Sequence, residues 1–304
     1  MHCYHSTSFK LPLPPQHRFP MEKYTLLCQR VIELFGIDEV FDAPSISDGD
    51  LLLAHDSAYL DGVIKGTLPT LELKRIGFPW SPQMIERSRR STGATLAATL
   101  SALSEGRGAN LAGGTHHAGR NKGGGYCVFN DSAVTLKVLE HRGLINHGLV
   151  IDLDVHQGDG TANILGSDPA HFCLSIHGEK NYPFKKETSD LDVGLPDGTT
   201  DEIYLDLLSQ SLQKTFTRCS PDIVIYLAGA DPYEEDQLGR LKLSKSGLAA
   251  RDAMVFETCN RLGLPVAVTM GGGYAKDIKD IVQIHSNTLL IATGQPPVLA
   301  LDPH

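Results

Sequence analysis

Asp152, Asp154 and His156 stand two residues apart at the end of an apolar run, Gly148 to Leu153. Side chains alternate along an extended chain, so the three share one face for as long as strand geometry lasts. Two carboxylates and an imidazole on one face form a mixed oxygen and nitrogen ligand set that zinc accepts. Asp231 closes another apolar run and can join Asp154 and His156 as a third protein ligand, leaving one position open for water. Asp and Gly are also common turn residues, so Asp-x-His alone would be ordinary strand-end chemistry. A second segment, Gly113-Gly114-Thr115-His116-His117, supplies two imidazoles, and Asp152 and Asp159 offer one carboxylate to each. A carboxylate on one ring nitrogen fixes the tautomer and raises the basicity of the other. Gly271-Gly272-Gly273-Tyr274 adds a phenol on a loop of small residues, and a phenol opposite a metal can donate to a developing oxyanion.

These parts describe metal-assisted hydrolysis of an amide. The metal polarises the carbonyl and lowers the pKa of water toward about 7. One His takes the water proton and later protonates the leaving amine. One divalent ion per chain is expected, zinc or iron(II). A binuclear site would need further carboxylates, but the residue two beyond His156 is Gly158 and the residue two beyond Asp231 is Tyr233.

Positioning these groups requires a parallel sheet. Short β-type runs at Ala109 to Ala112, Gly148 to Leu153, His171 to Ile176, Asp222 to Leu227 and Pro265 to Met270 alternate with longer helix-period segments. That punctuation predicts one α/β domain over 1–304, a parallel β-sheet flanked by helices on both faces. The chemistry-bearing loops follow the runs, at the C-terminal sheet edge where ligands bind. Upstream, Ser81 and Pro82 open a helix that stops at Gly106, with further helices expected at Glu22 to Phe35 and in the Asp50 to Lys65 region.

Four ordered motifs, GGTHHAGRNKGGGYCVFND (113–131), VIDLDVHQGDG (150–160), LAGADPYEEDQLG (227–239) and GGGY (271–274), resemble the zinc-dependent histone deacetylase family of the arginase-deacetylase fold. The likeness begins at HRFPMEKY (17–24), and HQG after the Asp-Val pair together with RLKLSKSGLAARD (240–252) is most similar to the class IV branch and its bacterial relatives. The resemblance implies zinc ligands Asp154, His156 and Asp231. It implies His117 as general base and acid with Asp159 behind it, His116 as electrostatic partner with Asp152 behind it, and Tyr274 as oxyanion donor. It further implies that Gly125, Tyr126, Tyr182 and Leu238 line an acyl-lysine tunnel and that Arg18 lines an internal acetate-release channel. A structural potassium or sodium ion is implied at Asp152, Asp154, His156, Ser175 and Ile176. The acidic residue with which classical members grip the substrate backbone has no match around Ile76 to Trp80.

The implied activity is removal of acetyl or longer acyl groups from lysine side chains of proteins. Gly119 and Gly123-Gly124-Gly125 bear on acyl length, because missing side chains leave room for a long chain unless neighbours fill it. Acetylpolyamine hydrolysis is the alternative, with the same chemistry on a small cation. A non-catalytic acyl-lysine binder would be signalled by loss of Tyr274, His117 or a ligand, and all are present.

The formal net charge of −9 repels phosphate backbones, so no nucleic-acid partner is expected. Lys74, Arg75, Arg87, Arg89 and Arg90 form a local basic cluster that reads as a solvated helix face. No run reaches the roughly 20 apolar residues of a membrane span, the first residues lack a signal-peptide core, and the 6 cysteines show no C-x-x-C. A cytoplasmic protein with reduced thiols is expected. The sequence leaves the oligomeric state open.

Overall fold

All five apolar runs fold as strands in the computed structural model, which describes residues 1–9, 11–14 and 16–299. They are β3 (Arg107–Asn110), β4 (Gly148–Asp152), β5 (His171–Gly178), β7 (Ile223–Leu227) and β8 (Val266–Thr269). Three short strands join them: β1 (His2–His5), β2 (Val40–Asp42) and β6 (Leu191–Leu195). The sheet has eight strands in the order β2-β1-β3-β8-β7-β4-β5-β6, and every pairing is parallel.

Alternation along the central strands feeds two cores. Leu149, Ile151, Val224 and Tyr226 face one layer, which contains α1 (Glu22–Phe35), α8 (Asp201–Arg218), α9 (Lys245–Arg261) and α10 (Ile278–Ala292). Val150, Ile223, Ile225 and Ala267 face the other, which contains α3 (Ser57–Lys65), α5 (Pro82–Glu105), α6 (Asp131–His141) and α7 (Asp159–Leu165). Burial on both sides explains why these strands read as continuous apolar runs.

Helix α1 has the expected bounds, and α5 starts where Ser81 Oγ accepts the Met84 N–H at 3.1 Å. The helix expected from Asp50 to Lys65 is two: α2 (Asp48–Leu51) and α3. The break has a cause at His55, whose buried ring donates from Nδ1 to Gly119 O at 2.9 Å and accepts at Nε2 from Asn130 N–H at 3.0 Å. The next N–H, of Asp56, donates to Arg120 O at 2.8 Å, so these residues tie to the His116 loop instead of continuing a helix.

The basic cluster is not a solvated face. Arg87 is buried against the Tyr24 ring and donates to Ser6 O at 3.3 Å. Arg89 pairs with Asp48, and Arg90 donates to Glu86 at 2.7 Å and Ala43 O at 2.8 Å, so the three clamp the N-terminal segments onto α5. Lys74 and Arg75 lie elsewhere, on α4 (Thr70–Ile76), and remain exposed.

Candidate metal centre and catalytic site

Asp152 is the last residue of β4, and the chain leaves the sheet there as a turn. Asp152 Oδ1 accepts the Asp154 N–H at 3.2 Å and Asp154 Oδ1 accepts the His156 N–H at 2.9 Å, a staircase of Asx contacts that holds the alternating side chains in place. Asp231 follows β7, the neighbour of β4, and accepts the Val155 N–H at 2.9 Å. Asp154, His156 and Asp231 each offer an atom within 4.8 Å of the others. His156 Nδ1 lies 2.9 Å from Asp154 and 3.1 Å from Asp231.

The surroundings fit a metal. Two buried carboxylates lie together: against the cost of burial, the His116 charge and the His156 contacts hold Asp154 well below the usual carboxylate range, while burial and the Asp154 charge push Asp231 above it, a conflict a divalent cation relieves. Gly272 makes the close packing possible: a Cβ there would lie 1.9 Å from Asp231 Oδ2, and its N–H donates to Asp154 Oδ2 at 2.7 Å. A second acid and imidazole group, Glu140, Asp168 and His171, already holds Lys137 Nζ at 2.5 Å from Glu140 and 2.7 Å from Asp168.

Beside these three residues, the two histidines divide. His116 Nδ1 lies 2.7 Å from Asp152 and His117 Nδ1 lies 2.7 Å from Asp159. Burial opposes protonation of His116, but Asp152 and Asp154 outweigh it and raise the ring to about 9. Burial and the neighbouring His116 charge lower His117 to about 4 against the pull of Asp159. His117 is therefore a neutral base whose Nε2 is not used by Asp159. Tyr274 is half-buried at the cleft wall, and desolvation together with the Asp231 and Asp154 charges raises its phenol well above the usual value, so it stays a donor.

Residues outside the sequence reading hold these loops. Asp131 accepts the N–H groups of Gly114 at 2.9 Å and Thr115 at 2.8 Å. Asp236 accepts the Tyr274 N–H at 2.6 Å, and buried Arg251 donates to Gly229 O at 2.6 Å and Leu153 O at 3.3 Å. Lys23 is buried and donates to Gly273 O at 3.3 Å, with its Nζ 5.4 Å from the centre of the Tyr274 ring. Asp131, the first residue of α6 after its N-cap Asn130, carries a signal only as an acid opening a helix, which does not say what it holds.

A cleft of about 520 Å³ contains His116, His117, Asp154, His156, Asp231 and Tyr274 with Gly125, Tyr126, Tyr182 and Leu238. Tyr126 has φ 66°, a left-handed conformation at a non-glycine residue, and its ring packs across Gly77. Tyr182 meets the His117 ring edge-on at 4.8 Å. Arg18 is exposed and is not among the residues of this cleft, and the buried cation of its motif is Lys23, turned inward by the first turn of α1. Ser175 pairs in register with Asp152, its Oγ lying 2.9 Å from His177 Nδ1, and Ile176 is buried in β5. The glycines are closely packed: a Cβ at Gly119 would meet Asn163 at 2.9 Å, at Gly123 Ile76 at 2.5 Å, at Gly124 Tyr182 at 3.0 Å and at Gly125 His117 at 2.4 Å.

At the C-terminal edge of the parallel sheet the fold thus gathers a mixed carboxylate and imidazole group, two carboxylate-backed histidines and a half-buried phenol, groups able to carry out metal-assisted hydrolysis. The family described as "Histone deacetylase domain" matches residues 17–289. An uncharacterized protein of Picosynechococcus sp. is 42% identical over 278 residues, 90% of this chain and 92% of its own length. Histone deacetylase 2 of Arabidopsis thaliana is 29% identical over 293 residues, 91% of this chain and 76% of its own. The crystal structure of an HDAC homolog from Aquifex aeolicus superposes with a TM-score of 0.82 at 23% identity, covering 97% of this chain and 84% of that one. The chain belongs to the histone deacetylase family and is a hydrolase of that family.

Proposed function

We propose that this chain is a zinc-dependent lysine deacetylase that hydrolyses the side-chain amide of acyl-lysine in proteins, working in the cytoplasm, with the whole span 1–304 as one catalytic domain. The observation that carries the reading is one cleft lined by the candidate ligands Asp154, His156 and Asp231, by a neutral His117 backed by Asp159, and by the protonated Tyr274. Asp154, His156 and Asp231 would hold the zinc, which when bound supplies a Lewis acid that makes water nucleophilic near neutral pH. His117 Nε2 accepts the water proton while Asp159 keeps Nδ1 protonated and stabilises the imidazolium. The same nitrogen then gives its proton to the departing lysine amine. His116, held by Asp152, places positive charge beside the reacting carbonyl. Tyr274 donates to the oxyanion on that carbonyl. Tyr126 and Tyr182 flank the lysine stem with aromatic faces.

The packing around Gly119 and Gly123 to Gly125 favours the short acetyl group over long chains. A monovalent cation bound by Asp152, Asp154, His156, Ser175 and Ile176 is part of the proposal. So is reduction of the thiols, since all six cysteines are free. No helix among the described residues is long and apolar enough to cross a membrane.

The test is release of acetate from an acetyl-lysine peptide by the zinc-loaded protein. Tyr274→Phe is expected to lower kcat by roughly 10²-fold while changing peptide affinity little. Near wild-type turnover in that variant would remove Tyr274 from the mechanism.

A further inference from the structure

The chain carries a formal net charge of −9, yet the mouth of its cleft is basic. Lys74, Arg75, Lys180 and Arg240 line it, all exposed, and among the described residues that line it the only carboxylates are the deep Asp154 and Asp231. The four cations come from both walls. On one side the end of α4 is tied to the tunnel loop, with Gly125 N–H donating to Arg75 O at 3.0 Å and Tyr126 N–H to Ile76 O at 2.8 Å. On the other, Asn181 Nδ2 donates to Leu238 O at 2.8 Å, joining the segment after Lys180 to the segment before Arg240. Arg75 and Arg240 are partly neutralised, by Glu72 at 2.5 Å and Asp197 at 3.3 Å. Lys74 and Lys180 have no ion-pair partner among the described residues.

We propose that this basic rim selects acyl-lysines set in acidic sequence surroundings, with Lys74 and Lys180 as specificity-determining residues. The inference rests on the lysine-deacetylase reading and narrows its substrate class. An acyl-lysine is neutral at its acylated nitrogen, so the charge a peptide presents at the mouth comes from the residues beside it. Asp and Glu there meet uncompensated ammonium groups on both walls. Lys and Arg meet repulsion, and an acetylpolyamine brings its remaining ammonium groups into the same field. Such a local field on an oppositely charged molecule acts on encounter as well as on the bound state and is weakened by salt.

The experiment compares kcat/KM for peptides of equal length carrying one acetyl-lysine flanked by Asp/Glu, by uncharged residues or by Lys/Arg, with an acetylpolyamine alongside. At low ionic strength the acidic peptide is expected to lead the uncharged one by roughly 3- to 10-fold, the scale that two exposed ion pairs reach, and the basic peptide to come last. The spread should shrink as salt is raised, and Lys74→Glu/Lys180→Glu should reverse the order. The same ranking is expected in Kd for the peptides on the His117→Ala protein, which reads binding without turnover. Turnover of all peptides at equal rates, or fastest on the basic one, would overturn this inference and leave the deacetylase reading standing. Preference for the acetylpolyamine over every peptide would overturn both.

Discussion

In the proposed mechanism His117 and Asp159 form the pair on which proton transfer turns, and their environment sets its pH range. Burial and the His116 charge hold His117 at about 4, so it is unprotonated through neutral pH and the acid limb of kcat/KM lies well below the ordinary histidine value. His117→Ala removes the base, and kcat is expected to fall by roughly 10²-fold or more. Asp159→Asn leaves the ring but removes the group that raises its basicity. The acid limb should move to lower pH, with kcat reduced by roughly 10-fold. A pH profile of both variants checks this, and an unshifted limb in Asp159→Asn would contradict the pairing. At this scale alternation suggests that Asp152, Asp154 and His156 share a face, but β4 ends at Asp152 and their convergence with Asp231 comes from the Asx contacts beyond the strand. Arg18 shows the opposite case, since HRFPMEKY contains two cations and only the start of α1 at Glu22 decides that Lys23 turns inward.

The elements most visible in the sequence are those buried on both faces. Strands β4, β5 and β7 are wholly buried and read as apolar runs, whereas β2 and β6 at the sheet edges are short and half-exposed, with Asp and Gly among few apolar residues. The α2 and α3 break could not be read because its cause, His55 bridging Gly119 and Asn130, lies far away in sequence. Burial lowers His55 to about 4. The unfolded chain binds this proton near pH 6.5 and the folded chain does not, so stability is lost as pH falls from about 6.5 toward 4. His55→Gln is expected to flatten that part of a denaturation-midpoint profile while lowering stability at neutral pH; an unchanged slope would show that His55 is not the sensitive group. The tunnel loop 119–125 carries a second prediction. Its glycines are filled by Asn163, Ile76, Tyr182 and His117, so kcat/KM should fall steadily from acetyl- to octanoyl- to myristoyl-lysine in one peptide. A rise with chain length would contradict the packing argument.

Across the whole molecule, the loops after β3, β4, β7 and β8 converge because those strands are neighbours in a sheet whose pairings are all parallel. Chain order does not contain that adjacency, although strand-end chemistry in each loop hinted at a shared edge. Buried Arg251, bonded to carbonyls at Leu153 and Gly229, locks the β4 and β7 loops together, so the ligand geometry belongs to the fold and not to any one loop. The central claim is that this fold builds one catalytic metal centre and no second. Metal analysis of the purified protein, with activity followed as metal-free protein is titrated with zinc, tests it most directly. The account predicts that acetyl-lysine hydrolysis rises linearly and ends at one zinc per chain, and that Asp231→Ala binds none tightly. Full activity in metal-free protein, or a requirement for two divalent ions per chain, would contradict it.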